Sequence, residues 1–133
     1  MMTVTDFGFH FRLIIIYIRD MKNKILFEDF EKVDIRVGKI IEVTDFAKAK
    51  FPTYKFKIDF GDEIGIKQSS ARFKSNYSEE DLLNKQCLAV VNFEPRNIAG
   101  FLSEVLVLGI DALAGGISIV RPADEAVLGA KLY

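Results

Sequence analysis

At 133 residues the chain has room for one packed core and not for two. Half of its residues are hydrophobic and 28% are charged, which excludes a disordered tail. The net charge of −1 excludes a wholesale basic footprint for nucleic acid, so any case for RNA rests on local charge.

The first segment, residues 1–29, reads as an N-terminal arm. Its apolar run from Phe7 to Ile18 is interrupted by His10 and Arg12 and is too short for a membrane helix, which needs about 20 apolar residues. No basic stretch precedes it and no small-residue cleavage site follows, so neither membrane insertion nor a signal peptide is expected. Phe7, Phe9, Phe11, Leu13, Ile15 and Tyr17 alternate at period two, the rhythm of an extra strand or an interface arm. Met21 opens an alternative start.

Residues 30–133 read as one β domain, entered through a helical turn at Ile25–Glu31. The first strand is expected at Ile35–Val43, with a bulge or sharp coil at Gly38. The second, Tyr54–Phe60, alternates strictly. Tyr54, Phe56, Ile58 and Phe60 face the core, while Lys55, Lys57 and Asp59 face out. Gly61-Asp62 is read as a tight turn into a third strand near Glu63–Gln68. Ser78 and Asp81 then form a helix N-cap pair, with Glu79 and Glu80 in the first turn. A fourth strand is expected at Gln86–Asn92, a fifth at Glu104–Ile110, and a last β segment at Ile117–Arg121. Five strands with one short helix between the third and fourth is the order of an all-β OB-fold, a Greek-key barrel. Such barrels bind nucleic acid on strands two and three and on the loops between strands one and two and between strands four and five.

Three polar groupings fall on those elements. No acid lies between Asp45 and Asp59, yet Lys48, Lys50, Lys55 and Lys57 do, interleaved with Phe51, Tyr54 and Phe56. These ammonium groups suit phosphate contact; they are equally readable as solvated edge residues that discourage aggregation. Lys67-Gln68-Ser69-Ser70 closes the third strand with a cation, an amide and two hydroxyls, the groups that hold a sugar–phosphate or peptide backbone. The alternative is a polar strand end making local bonds. Asn92, Arg96, Ser103 and Glu104 form the third group, on the loop before the fifth strand. Arg96 can fork onto phosphate or stack on a base. Ser103 and Glu104 can bond a base edge, or pin Arg96.

Nothing in the sequence reads as catalytic. Cys87 sits mid-strand in apolar surroundings and is a packing residue, and Gly115-Gly116 lacks the following Lys-Ser/Thr of a phosphate loop. With one cysteine and one histidine, neither an internal disulfide nor a Cys/His zinc site can form; no metal or other cofactor is implied. A single thiol suits a reducing cytoplasm, the expected location.

The run KQSSA (Lys67 to Ala71) and the run from Val90 to Gly109, VVNFEPRNIAGFLSEVLVLG, resemble the CsaA-type proteins, relatives of the tRNA-binding domain appended to bacterial methionyl-tRNA synthetases. The resemblance covers roughly Phe30 to Lys131. Where the appended domains often read Ser-Glu-Gly-Met, this chain has Ser103-Glu104-Val105-Leu106, which points to the CsaA-like branch. The resemblance implies RNA-contact roles for Arg36, Lys39, Lys67, Gln68, Ser69, Ser70, Asn92, Arg96, Ser103 and Glu104. It also implies a homodimeric, export-related chaperone whose partners are tRNA or other structured RNA and unfolded precursor polypeptides.

Overall fold

Alternating apolar residues dictate a barrel wall, and the computed structural model shows one; it describes residues 21–133, so the expected arm strand lies outside the described residues. The chain divides into two units after Lys32. In the first, α1 (Phe27–Glu31) forms where a helical turn is expected, and the Asp29 carboxylate accepts the Leu26 amide at 3.1 Å to cap its start.

The second unit is the barrel. β1 (Ile35–Asp45), β2 (Tyr54–Asp59), β3 (Ile66–Ala71), β4 (Gln86–Val90) and β7 (Leu106–Val107) form one antiparallel sheet in the order β3-β2-β1-β4-β7. Two small hairpins complete it: β5 (Arg96–Ile98) with β6 (Phe101–Ser103), and β8 (Gly109–Asp111) with β9 (Ile117–Ile119). The sheet closes on itself between β3 and the segment leading into β7, where the Glu104 amide donates to the Gln68 carbonyl at 2.8 Å. This near-closure covers much of the edge that a flat sheet would expose. This is the expected OB-type barrel.

Period two sorts β2 as expected. Tyr54, Phe56 and Ile58, with Phe60 beyond the strand, are buried beside Ile40, Phe73 and Leu82 in the core. Leu82 comes from α2 (Glu79–Leu82), the short helix between β3 and β4. Ser78 and Asp81 cap it reciprocally, at 2.9 and 3.2 Å, and those bonds hold the Asp81 carboxyl below its ordinary pKa. Cys87 is buried at the centre of β4, and burial pushes its thiol up to about 12. It is a packing residue.

Four sequence expectations are corrected. Gly38 carries no bulge: it pairs regularly with Cys87, and the register shift lies between Ile40 and Glu42. A glycine is needed at 38 because Ile58 and Phe60 occupy the space a Cβ would fill. The β2–β3 connection is wider than a tight Gly61-Asp62 turn, since Phe60 and Gly65 bond to each other and Gly65 bonds back to Gly61. That delay moves β3 to Ile66–Ala71, so Lys67 to Ser70 lie within the strand and not at its end. β4 stops at Val90, short of Asn92. The expected fifth strand is broken into β7 and β8 at Leu108, whose amide crosses to Leu88 while its carbonyl accepts from Val120.

The chain's last residues run back along β1. The Val37 amide donates to the Ala130 carbonyl at 3.0 Å, the Val37 carbonyl accepts the Gly129 amide at 2.8 Å, and the Leu132 amide donates to the Ile35 carbonyl. They cover the half of β1 that β2, which begins pairing at Lys39, leaves open.

Candidate nucleic-acid interface

The register of β1, β2 and β3 sets which polar side chains can meet. Directly opposed residues share a face. Thr44, Lys55 and Ser70 form one outward row, Glu42, Lys57 and Gln68 a second, and Lys39, Asp59 and Ile66 a third. Lys67 and Ser69 alternate to the other face, opposite Ile58 and Phe56. The Lys67–Ser70 run is therefore split between two faces and is not one patch.

Ser69 is 0% exposed; its hydroxyl donates to the Val105 carbonyl at 2.6 Å and lies 3.2 Å from the Ser103 hydroxyl, which is also buried. The Ser103 hydroxyl accepts the Ser70 amide, and the Glu104 carboxylate accepts the Gln68 amide at 3.0 Å. The Gln68 side chain donates to the Leu102 carbonyl at 2.7 Å. Gln68, Ser69, Ser70, Ser103 and Glu104 thus form a polar seam that closes the barrel. Satisfied networks of this kind fix one geometry. Among the described residues Glu104 makes no ion pair with Arg96.

The segment 92–104 is more ordered than a loop. Asn97 through Leu102 turn through Ala99 (φ 50°) and Gly100 (φ 84°), a two-residue primed turn matched to strand twist, with the Gly100 amide bonded to the Asn97 side chain at 2.9 Å. Arg96 sits exposed at the open end of this hairpin, paired with Ser103. The neighbours then run Ser103, Ser70, Lys55, which sets the hairpin beside the outward face of β2.

One end of the barrel gathers cations and rings. Phe46, from the β1–β2 connection, meets Phe101 of the hairpin edge-on at 5.4 Å, and the Lys55 ammonium lies 5.5 and 5.6 Å from the two centroids. The Arg72 guanidinium lies over the Phe51 ring at 4.0 Å, and Lys50 approaches the same ring at 5.7 Å. Lys48 is exposed on the same connection. The exposed Lys57 sits 3.7 Å from Glu42, a surface pair worth little.

Two expected contacts lie elsewhere. Arg36 is mostly buried, bonded to Asp34 at 2.6 Å, to Glu63 at 3.5 Å and to the Gly129 carbonyl at 3.1 Å; its bond to Asp34 raises its pKa further. Asn92 accepts the Asp34 amide at 2.9 Å in the same neighbourhood. Thr44 is eight residues further along β1 than Arg36, about 26 Å of strand. Lys39 lies between these ends, beside Asp59.

Sequence reasoning missed Arg72, Phe46 and Phe101. Arg72 directly follows the KQSSA run, and its signal was the alternation that carries β3 through Ala71. The Asn97/Gly100 spacing was the signal for the hairpin that presents Phe101.

Residues 35–131, from the first residue of β1 to the bridge partner of Arg36, match the family model described as "Putative tRNA binding domain". The chain is 50% identical to the CsaA chaperone protein of Picrophilus torridus, over 83% of this chain and 100% of that one, with a TM-score of 0.78. It is 43% identical to the chaperone CsaA of Bacillus anthracis, over 84% and 100%, again with a TM-score of 0.78. It is also 41% identical to the methionine–tRNA ligase of Pyrococcus horikoshii over 80% of its own length, but spans only 14% of that ligase. The chain belongs to the tRNA-binding domain family, and its fold is that of the CsaA proteins.

Proposed function

We propose that this chain is a non-catalytic tRNA-binding module of the CsaA type. The observation that carries the reading is the cation-and-ring cluster at one end of the barrel, on the elements where OB-folds hold nucleic acid. Lys48, Lys50, Lys55 and Arg96 contact phosphate, with Arg72 beside them. Gln68, Ser69, Ser103 and Glu104 act on RNA through position, by holding the hairpin against β3. Arg36 and Asn92 serve the other end of the barrel.

A second reading is favoured by exposed apolar groups near these cations and by the chaperone relatives. Phe51, Phe93 and Leu102 are exposed on the β1–β2 connection and on the segment between β4 and β7. Such groups suit an unfolded precursor polypeptide, held by burial of apolar surface, in a cytoplasmic chaperone acting before export. One cleft can serve both backbones.

Labelled tRNA titrated at 50 and 200 mM salt tests the first reading. With about four phosphate contacts, affinity should fall roughly 50-fold between the two salts. Unfolded peptide should displace the tRNA and lose far less affinity as salt rises. No tRNA binding even at 50 mM, with peptide still bound, would leave only the chaperone.

We also propose a homodimer, consistent with the exposed Leu106, Ile110 and Leu113 on and beside β7 and β8. Sedimentation should show twice the chain mass at micromolar concentration; a stable monomer would reject it.

A further inference from the structure

Three rings stand at the cationic end of the barrel, and Phe51 is the most exposed of them. Phe46 is 5% exposed and packs against Phe101, with Lys55 over both. Phe51 is 45% exposed. The Arg72 guanidinium covers it at 4.0 Å, and among the described residues no ion pair engages Arg72.

This pair is built, not incidental. Arg72 follows Ala71, the last residue of β3, which is locked opposite Tyr54 at the start of β2. The buried Thr53 hydroxyl donates to the Phe51 carbonyl at 2.6 Å, and the Thr53 carbonyl accepts the Phe46 amide at 3.0 Å. Both partners are thus tied to the barrel by neighbours on rigid backbone. A guanidinium is planar and weakly hydrated, so a second aromatic plane can stack on the side a ring does not cover. Lysine has no such plane.

We propose that Phe51 and Arg72 form a stacking platform for an unpaired nucleobase, so that this site takes single-stranded or loop nucleotides in preference to duplex RNA. The inference rests on the RNA-binding reading and adds the part of the RNA that is read. A paired base inside a helix offers no free face, whereas an unstacked base does. The lysines hold phosphate in either form and do not discriminate.

The test uses the full chain, a single-stranded octaribonucleotide carrying 2-aminopurine, and a duplex of the same length. Wild-type protein should bind the single strand more tightly and quench the probe as it stacks. Arg72→Lys keeps the charge and removes the plane; it should weaken single-strand binding roughly 10-fold, abolish the quench and leave the duplex unchanged. Phe51→Leu should act in the same direction. Both positions are exposed, and a wild-type circular dichroism spectrum confirms that each variant is folded. If Arg72→Lys binds and quenches like wild type, Arg72 is a point charge on phosphate and the platform is rejected. Equal losses on single strand and duplex reject it as well. Binding of tRNA at 50 mM salt but of neither short RNA rejects the platform alone; binding of none of the three rejects the RNA-binding reading and this inference with it.

Discussion

A valine at Gly38 should leave little folded barrel. A Cβ placed there falls against the Ile58 side chain and within 2.7 and 2.9 Å of two Phe60 ring atoms. Both neighbours are fully buried, so neither can swing aside. Overpacking a dense core costs about 1–3 kcal/mol for a modest insertion. Alanine should reach the top of that range. Valine adds two more methyl groups and should exceed it, a large part of the roughly 5–15 kcal/mol that holds a domain together. Gly38 has no left-handed backbone angle, so the effect is packing and not strain. Urea unfolding should show a lower midpoint with an unchanged slope. Phe60→Leu should relieve part of the Gly38→Ala penalty, because the two sites share one space. A Gly38→Ala variant as stable as wild type would show that Phe60 does not fill the site.

The same glycine shows how far the sequence was legible. Its presence inside an apolar strand signalled something unusual, but a glycine in a strand fits a bulge and a close approach equally well. Only the arrival of Phe60, just beyond β2, decides between them. Within β2, by contrast, strict alternation was enough to separate Lys55 and Lys57 from Phe56 and Ile58, since burial on one face is a local consequence of pleating. The helix cap at Ser78 and Asp81 was readable for the same reason: its chemistry lies within one turn.

Long-range closure was not readable. Ser69 and Ser103 look like ligand groups in sequence, because a hydroxyl at a strand end is normally solvated. The barrel brings them 3.2 Å apart and buries both. Arg72 and Phe51 are also far apart in the chain, and the Tyr54–Ala71 pairing makes them neighbours. The site was thus legible as a set of elements and illegible as a set of contacts.

Removing three cations together, Lys48→Ala, Lys50→Ala and Arg96→Ala, should weaken tRNA binding roughly 100-fold at 0.1 M salt, because each phosphate contact releases a condensed counterion. The slope of log affinity against log salt should flatten by about 2. All three residues are exposed, so the barrel should stay folded and the unfolding midpoint unchanged. The effect should be uniform across RNA sequences, since phosphate contacts position and do not specify. Peptide captured through Phe51, Phe93 and Leu102 should be nearly unaffected in the same variant, because apolar burial carries no counterion term. The matched control is Lys85→Ala, Arg121→Ala and Lys131→Ala, which removes as much charge from exposed barrel positions outside the cluster. If that control weakens tRNA binding as much as the cluster variant does, attraction is general and no cluster exists. If only the cluster variant loses affinity, the barrel's cation-rich end is where tRNA sits.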